Sequence, residues 1–472
     1  MLSLLDRAND RNCQGLARRE FLRIGSLGLL GGSLTLPDFL AARARASGTG
    51  HLVKNKAVVL LFLQGGPSHI ELFDPKMTAP SEIRSTTGEV QTSIPGLTFG
   101  GTFPKMAALA NKLAVVRSYA SKNADHSYLS VTSGGGNPLK AAMGALYARV
   151  AGPIRPRTGI PTNMLVLPEA VQAGLKLGSN FETSALPTLT SPGDLGPSYG
   201  AFDPSAGSDL KRSMQLTMAA DQFANRRELL GQLDQLRRRL DASGAVDGLD
   251  RFQQQAFDLI TRGVVQAFDL SKEDPQTIEK YDTSKLFRLE ESTKWFDMKR
   301  SSNLLGKQML LARRLCEAGA GFVTVSDCGW DMHSNSNSPK NRGGIKWLGP
   351  QVDHAVSAFI EDVQERGLSD KILLVVTGEM GRSPRINRDG GRDHYGNLTS
   401  LVLVGGGLPM GQVIGQSDKN ASAPMSEPLT PKNLLATIMH LLFDLTELRA
   451  QPGLQRVADV VTGGQPIPGL VS

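Results

Sequence analysis

The chain has 472 residues, 40% of them hydrophobic and 21% charged, an ordinary globular balance long enough for one large α/β domain with insertions or for two domains. Its formal net charge is +7, but residues 1–46 hold seven Lys/Arg against four Asp/Glu, which leaves the rest at +4 with no long basic run. That pattern excludes a nucleic-acid footprint of clustered cations and aromatics, and three cysteines exclude a disulfide framework.

The first element is residues 18–46, where Arg18, Arg19, Phe21 and Leu22 precede a mildly apolar, glycine-rich run, with small Ala44 and Ala46 at its end. This reads as a twin-arginine export signal, with a short amphipathic helix as the competing reading. Such a signal sends an already folded chain to the periplasm or the exterior, a route typical of proteins that load a metal or cofactor first. The run is too short to span a membrane, and no later segment reaches the ~18 apolar residues required. The remaining chain, 47–472, keeps Cys316 and Cys328, expected as buried free thiols rather than a pair.

Six continuously apolar, β-branched runs then read as buried strands: 57–63, 113–119, 163–168, 321–326, 371–376 and 400–405. Helical patterns at 304–319 and 349–367 precede the fourth and fifth. The alternation predicts an α/β fold, a mostly parallel sheet with helices on both faces. From about 205 to 300 the period is 3.6 residues with no strand signal, so a helical insertion is expected there, joined through the Pro/Gly-rich stretch 185–208. Near the end Thr430 caps, and Pro431 begins, an apolar helix that would bury His440 in the core.

Ligands of open parallel sheets sit beyond the carboxyl ends of the strands, and here those ends carry polar loops. The first, 64–76, offers Gln64, Ser68, His69, Glu71 and Asp74; the second, 121–136, offers Asp125, His126 and the hydroxyls of Ser127, Ser130 and Thr132. Asp331 and His333 follow the fourth strand, and Glu379, Arg382, Arg385, Arg392, Asp393 and His394 follow the fifth. Four of the seven histidines therefore lie on strand ends and are expected to converge. Aspartate with histidine suits a divalent ion, zinc, or manganese where oxygens dominate. Asp331 and His333, one residue apart, can point the same way from an extended segment, His394 adds a third ligand, and Asp393 is either a ligand or the partner that fixes an imidazole. Guanidinium forks match phosphate, sulfate or carboxylate, so the ligand is expected to be anionic. The competing reading is a buried ion-pair network among Asp331, Arg382, Arg392 and Asp393.

Three blocks, "QGGPSHIELFDPK", "WDMH" and "GEMGRSP" followed by "GRDH", carry a resemblance. The chain resembles an uncharacterised family of twin-arginine-exported bacterial proteins, domain of unknown function 1501, and is distantly similar to the alkaline phosphatase and sulfatase superfamily. That resemblance implies strand-end loops holding one or two divalent ions, zinc, manganese or calcium, and a hydroxyl or formylglycine nucleophile that attacks a phosphate or sulfate ester. Asp331, His333 and His394 look like the ligands of one ion. Glu379 stands where an aspartate–histidine pair would hold the second, with Met380 in place of the histidine, and Gln64 replaces the usual first-strand aspartate. No C-x-P-x-R sulfatase signature occurs. The implied function is an exported metal-dependent hydrolase of an anionic small-molecule or glycan ester, with catalytic roles for His126, Ser127, Arg382 and Arg392 and a lining of Gln64, Ser68, His69, Asp125 and Asp393. Gln64 and Met380 motivate the alternative, a non-catalytic relative that binds an anionic glycan or a partner protein.

Overall fold

The computed structural model describes residues 52–156, 158–172, 174–205 and 265–471. The export signal at 1–46 and residues 206–264, most of the expected helical insertion, lie outside the described residues.

Seven strands build the central sheet: β1 (Ala57–Leu63), β2 (Ala114–Val116), β3 (Asn163–Val166), β4 (Phe322–Asp327), β5 (Ile372–Thr377), β6 (Leu401–Gly405) and β7 (Gln412–Ile414). Their order is β7-β2-β6-β5-β1-β4-β3, parallel throughout except that β6 runs antiparallel to β5 and β2. Each expected run contains a strand. The unexpected one, β7, is only three residues between glycine-rich turns, too short to form a hydrophobic pattern.

Both faces of β1 are buried, which is why it reads as an unbroken apolar run. Ala57, Val59, Leu61 and Leu63 share a core with residues of α5 (Leu305–Ala318) and α6 (Asn341–Glu365). On the opposite face Phe62 meets Tyr128 of α2 (Tyr128–Thr132) edge-on at 5.5 Å, and α3 (Met143–Ala151) lies so close that a Cβ on Gly144 would strike Asn163 and Phe322. The fold is thus a mostly parallel α/β sheet with helices on both faces. Gly319, at φ 114°, ends α5 in the left-handed conformation. Helix α6 starts eight residues before the expected 349, because Gly343, Gly344 and Pro350 look like breakers in sequence but lie within the helix.

Residues 265–300 form short helices and turns, including Pro275–Lys280 and Leu289–Thr293. Glu273 ties this segment down by accepting from Arg313 and Arg314 of α5, while Arg313 also bonds Asp362 of α6 at 2.8 Å. Both remaining cysteines are buried and free. On α7 (Pro431–Leu442), Asn433 Oδ1 accepts the Thr430 N–H at 2.8 Å. His440 is half-buried in the last turn rather than in the core, with Nδ1 2.8 Å from Ala436 O. No helix among the described residues is long and apolar enough to cross a membrane.

Register places the loops. Leu63 pairs with Asp327 and Phe62 with Thr377, so β1, β4 and β5 end level and release their loops at one edge. Because β6 is antiparallel, with Leu401 opposite Thr377, the 378–400 loop leaves and returns at that same edge.

Candidate metal centre

The loops after β1 and β4 interlock through backbone. The Trp330 N–H donates to Gln64 O at 2.9 Å, and Gly65, at φ 110°, lies where any Cβ would come within 2.5 Å of Asp331 N. Only glycine permits that approach. The 378–394 loop closes from the other side, where a Cβ on Gly391 would sit 2.0 Å from His333 O.

Asp331 is the hub. It is buried, its Oδ1 lies 2.8 Å from His333 Nε2 and 3.2 Å from His394 Nε2, and its Oδ2 lies 3.5 Å from His126 Nε2. The Nε2 atoms of His333 and His394 are 2.9 Å apart. Each outer nitrogen faces an acceptor: His126 Nδ1 meets Glu379 Oε1 at 2.9 Å, His394 Nδ1 meets Ala124 O at 3.1 Å, and His333 Nδ1 meets Asp393 Oδ1 at 3.6 Å. With Nδ1 protonated in each ring, three Nε2 lone pairs converge on one carboxylate. Lone pairs packed this way repel unless a cation sits among them. His126, Asp331 and His394 offer ligand atoms all within 4.8 Å of one another, so the donor set fits a divalent ion of the zinc type. In the absence of an ion, burial draws the His126 imidazole down, but hydrogen bonds to Asp331 and Glu379 outweigh it and push it up to about 9. Burial would raise the Asp331 carboxyl, yet Arg382 and the three histidines hold it far below the usual carboxylate range.

Glu379 supports the ring from beneath. It is fully buried, its Oε1 also accepts the Gly65 N–H at 2.9 Å, and its Oε2 has no partner. Arg382, beside it, is buried with its donors committed. Nη2 serves Asp331 and Gly65 O, Nε serves Gly66 O at 2.9 Å, and Nη1 serves Arg392 O at 3.1 Å and lies 3.3 Å from His333 Nε2. Its fork therefore orients Asp331 instead of reaching toward an anion.

The other expected residues divide. Arg392, expected as an anion-binding residue, is fully buried against Glu71 at 2.9 Å, a partner outside the expected ion-pair network, and caps the carbonyls of Ile83, Arg84 and Ser383. Arg385 is exposed, 3.4 Å from Glu82. His69 is not in the cluster: it is buried with Nε2 3.0 Å from the carbonyl of Ala421, a member of a satellite core with Ile70 and Leu398, and burial lowers it to about 4. Gln64 is turned into the floor, donating to Ser326 Oγ at 2.6 Å and accepting from Cys328 Sγ at 3.2 Å. Ser68 is buried with Oγ unpartnered. Ser127 is exposed, next to His126 at the N-cap of α2, its N–H held by Asp125 Oδ1 at 2.9 Å. Asp393 is exposed behind His333 and accepts from Asn387 Nδ2 at 3.1 Å.

Three residues escaped the sequence reading. Phe181, first residue of α4 (Phe181–Leu189), stacks on His126 at 4.0 Å and 30°. Its neighbour Glu182 is fully buried, accepts the Gly329 N–H at 2.9 Å, and is pushed up to about 8 mainly by burial. Asp297, also buried, is raised to about 6 by burial and by Asp331. Their one sequence signal is a local capping pattern, Asn180 with Thr183, which marks a helix start and says nothing of a site.

No curated protein matches this sequence. The family described as "Protein of unknown function (DUF1501)" matches residues 55–470. Among solved structures, the chain is similar to the PsFucS1 sulfatase from Pseudoalteromonas sp., 12% identical, covering 90% of this chain and 75% of that one, with a TM-score of 0.36. It is similar in the same degree to the phosphonate monoester hydrolase SpPMH from Silicibacter pomeroyi, 12% identical over 88% of this chain and 78% of that one, TM-score 0.36. The phosphonate monoester hydrolase of Agrobacterium radiobacter is 11% identical, with the same coverage and a TM-score of 0.36.

Proposed function

We propose that this chain, which belongs to the DUF1501 family, is an exported metal-dependent hydrolase of sulfate or phosphate esters. The observation that supports it most is the convergence of three imidazole Nε2 atoms on Asp331 with every outer nitrogen facing an acceptor. Asp331, His126 and His394 would hold the ion, with His333 and Glu379 beside them, and zinc, manganese or calcium suits that mixture of nitrogen and oxygen donors. When bound, such an ion polarises an ester oxygen and offsets the charge that develops on it.

The chain's own residues supply the rest. Ser127 is the exposed hydroxyl nearest the cluster in sequence, on a backbone pinned by Asp125, and is the candidate to attack sulfur or phosphorus, its proton leaving with the ester oxygen as the alcohol. Water then cleaves the seryl ester, which releases sulfate or phosphate and restores the hydroxyl. Arg382 holds Asp331 in place, so the positive charge facing the substrate would come from the ion. The test is metal content and turnover of small sulfate and phosphate esters. Asp331→Ala and His394→Ala are expected to lose the ion and at least ~100-fold in turnover, as loss of a metal-held charge predicts. Full activity in both variants would sink the reading.

One observation favours the non-catalytic reading: Met380 is fully buried and Gln64 is bonded away into the floor, so neither completes a second ion site around Glu379. Tight binding of a sulfated polysaccharide without turnover would support it.

A further inference from the structure

We infer that Phe181 is a positioning residue of the metal centre, holding the His126 imidazole in the orientation that sends Nε2 toward Asp331. The inference rests on the metal-centre reading above. His126 sits half-buried on a loop, and its ring has one close hydrogen bond, from Nδ1 to Glu379 at 2.9 Å. Nε2 lies a longer 3.5 Å from Asp331 Oδ2, and contacts at the two ring nitrogens leave the ring free to tilt about the line joining them. The Phe181 ring, stacked 4.0 Å away at 30°, restricts that tilt, and the His394 ring, 4.6 Å away at 83°, restricts it further.

Phe181 can serve as a wall because it is fixed itself. It opens α4, where Asn180 Oδ1 accepts the Glu182 N–H at 3.0 Å and Thr183 Oγ1 accepts the Asn180 N–H at 3.2 Å. Asn180 Nδ2 also donates to Asp297 O at 3.0 Å, anchoring the turn to the 265–300 segment. The next residue, Glu182, grips Gly329, two residues before Asp331. One helical turn therefore holds the His126 ring by stacking and the Asp331 loop by hydrogen bonding. It fixes the relation between two ligands that come from different strand ends.

The experiment measures zinc affinity of the full chain by competition with a chromophoric chelator, for wild type, Phe181→Tyr, Phe181→Leu, Phe181→Ala and His394→Ala, each checked for folding by a thermal melt. Partners that orient metal ligands are worth about 10–100-fold in affinity. Phe181→Leu, which fills the space without a flat face, is expected to weaken zinc binding about 10-fold, and Phe181→Tyr to stay within about twofold of wild type. The visible spectrum of the cobalt-loaded Leu variant is expected to shift, as ligand geometry changes. Wild-type affinity and spectrum in Phe181→Leu and Phe181→Ala, with zinc lost in His394→Ala, would overturn the inference and leave the metal centre standing. Unchanged affinity in His394→Ala would overturn the metal centre, and this inference with it.

Discussion

At the residue scale, the site shows how differently two buried carboxylates behave, Asp331 and the Glu182 that accepts the N–H of Gly329 two residues before it. Asp331 is held ionised by Arg382 and three imidazoles, whereas for Glu182, also buried, desolvation outweighs the hydrogen bonds from Asn180 and Gly329. Its carboxyl is raised from the usual 4.5 to about 8. A raised acid favours its neutral form in the folded state, so its stabilising share is complete below about pH 4.5 and is lost as pH rises through about 8. Glu182→Gln, neutral at every pH, is expected to gain stability relative to wild type across that window. The loss of the bond from Asn180 adds only an offset that is the same at each pH. Urea denaturation of metal-free protein at pH 5 and pH 8.5 checks it, and a difference that does not change with pH contradicts the assignment. The same scale explains why the arginines misled: a sequence shows that guanidinium groups are present, but Arg392 finds Glu71 321 residues away, and Arg382 spends its fork on carbonyls.

At the element scale, the site is assembled by loops that touch backbone to backbone. Gly391 is the clearest case, because an added Cβ would meet His333 O at 2.0 Å and His333 C at 2.1 Å, atoms that no rotamer change can move. Gly391→Ala is expected to push the two loops apart, lower stability by about 1–3 kcal/mol as overpacking does, and weaken zinc binding about 10-fold though no ligand is altered. A wild-type chelator titration in this variant would show that the loops tolerate separation. The loops themselves were legible, since His, Asp and Glu concentrated after apolar runs stand out in any reading of composition. Helix α4 was not. "NFETSALPTL" has no hydrophobic period, and what matters about Phe181 is a ring from another strand end, which only the folded chain brings near. Helix α6 was expected from 349 but starts at 341, because Gly343 and Gly344 signalled a loop where burial against α5 extends the helix.

At the scale of the whole molecule, sheet topology decides that one edge carries the chemistry. The strands were readable because both faces of the sheet are covered, giving unbroken apolar runs, but the reversed direction of β6 was not, since hydrophobic pattern carries no polarity. That reversal matters, because it brings both Glu379 and His394, the two ends of one loop, back to the edge where Asp331 waits. On the proposed function, an ion site whose donors come from separate loops forms only in the folded chain, so metal loading would be coupled to folding. On that same proposal, export by the twin-arginine route would preserve that coupling by moving the folded, loaded protein. Replacing Arg18 and Arg19 together by lysine is therefore expected to leave the full-length chain in the cytoplasm, folded and with its ion bound, while the wild-type chain appears outside with its ion in the same ratio. Cell fractionation with elemental analysis of each pool checks both halves. Unaltered export of the lysine variant would remove the twin-arginine reading, and an exported pool without metal, beside a loaded cytoplasmic one, would break the link between folding, loading and export.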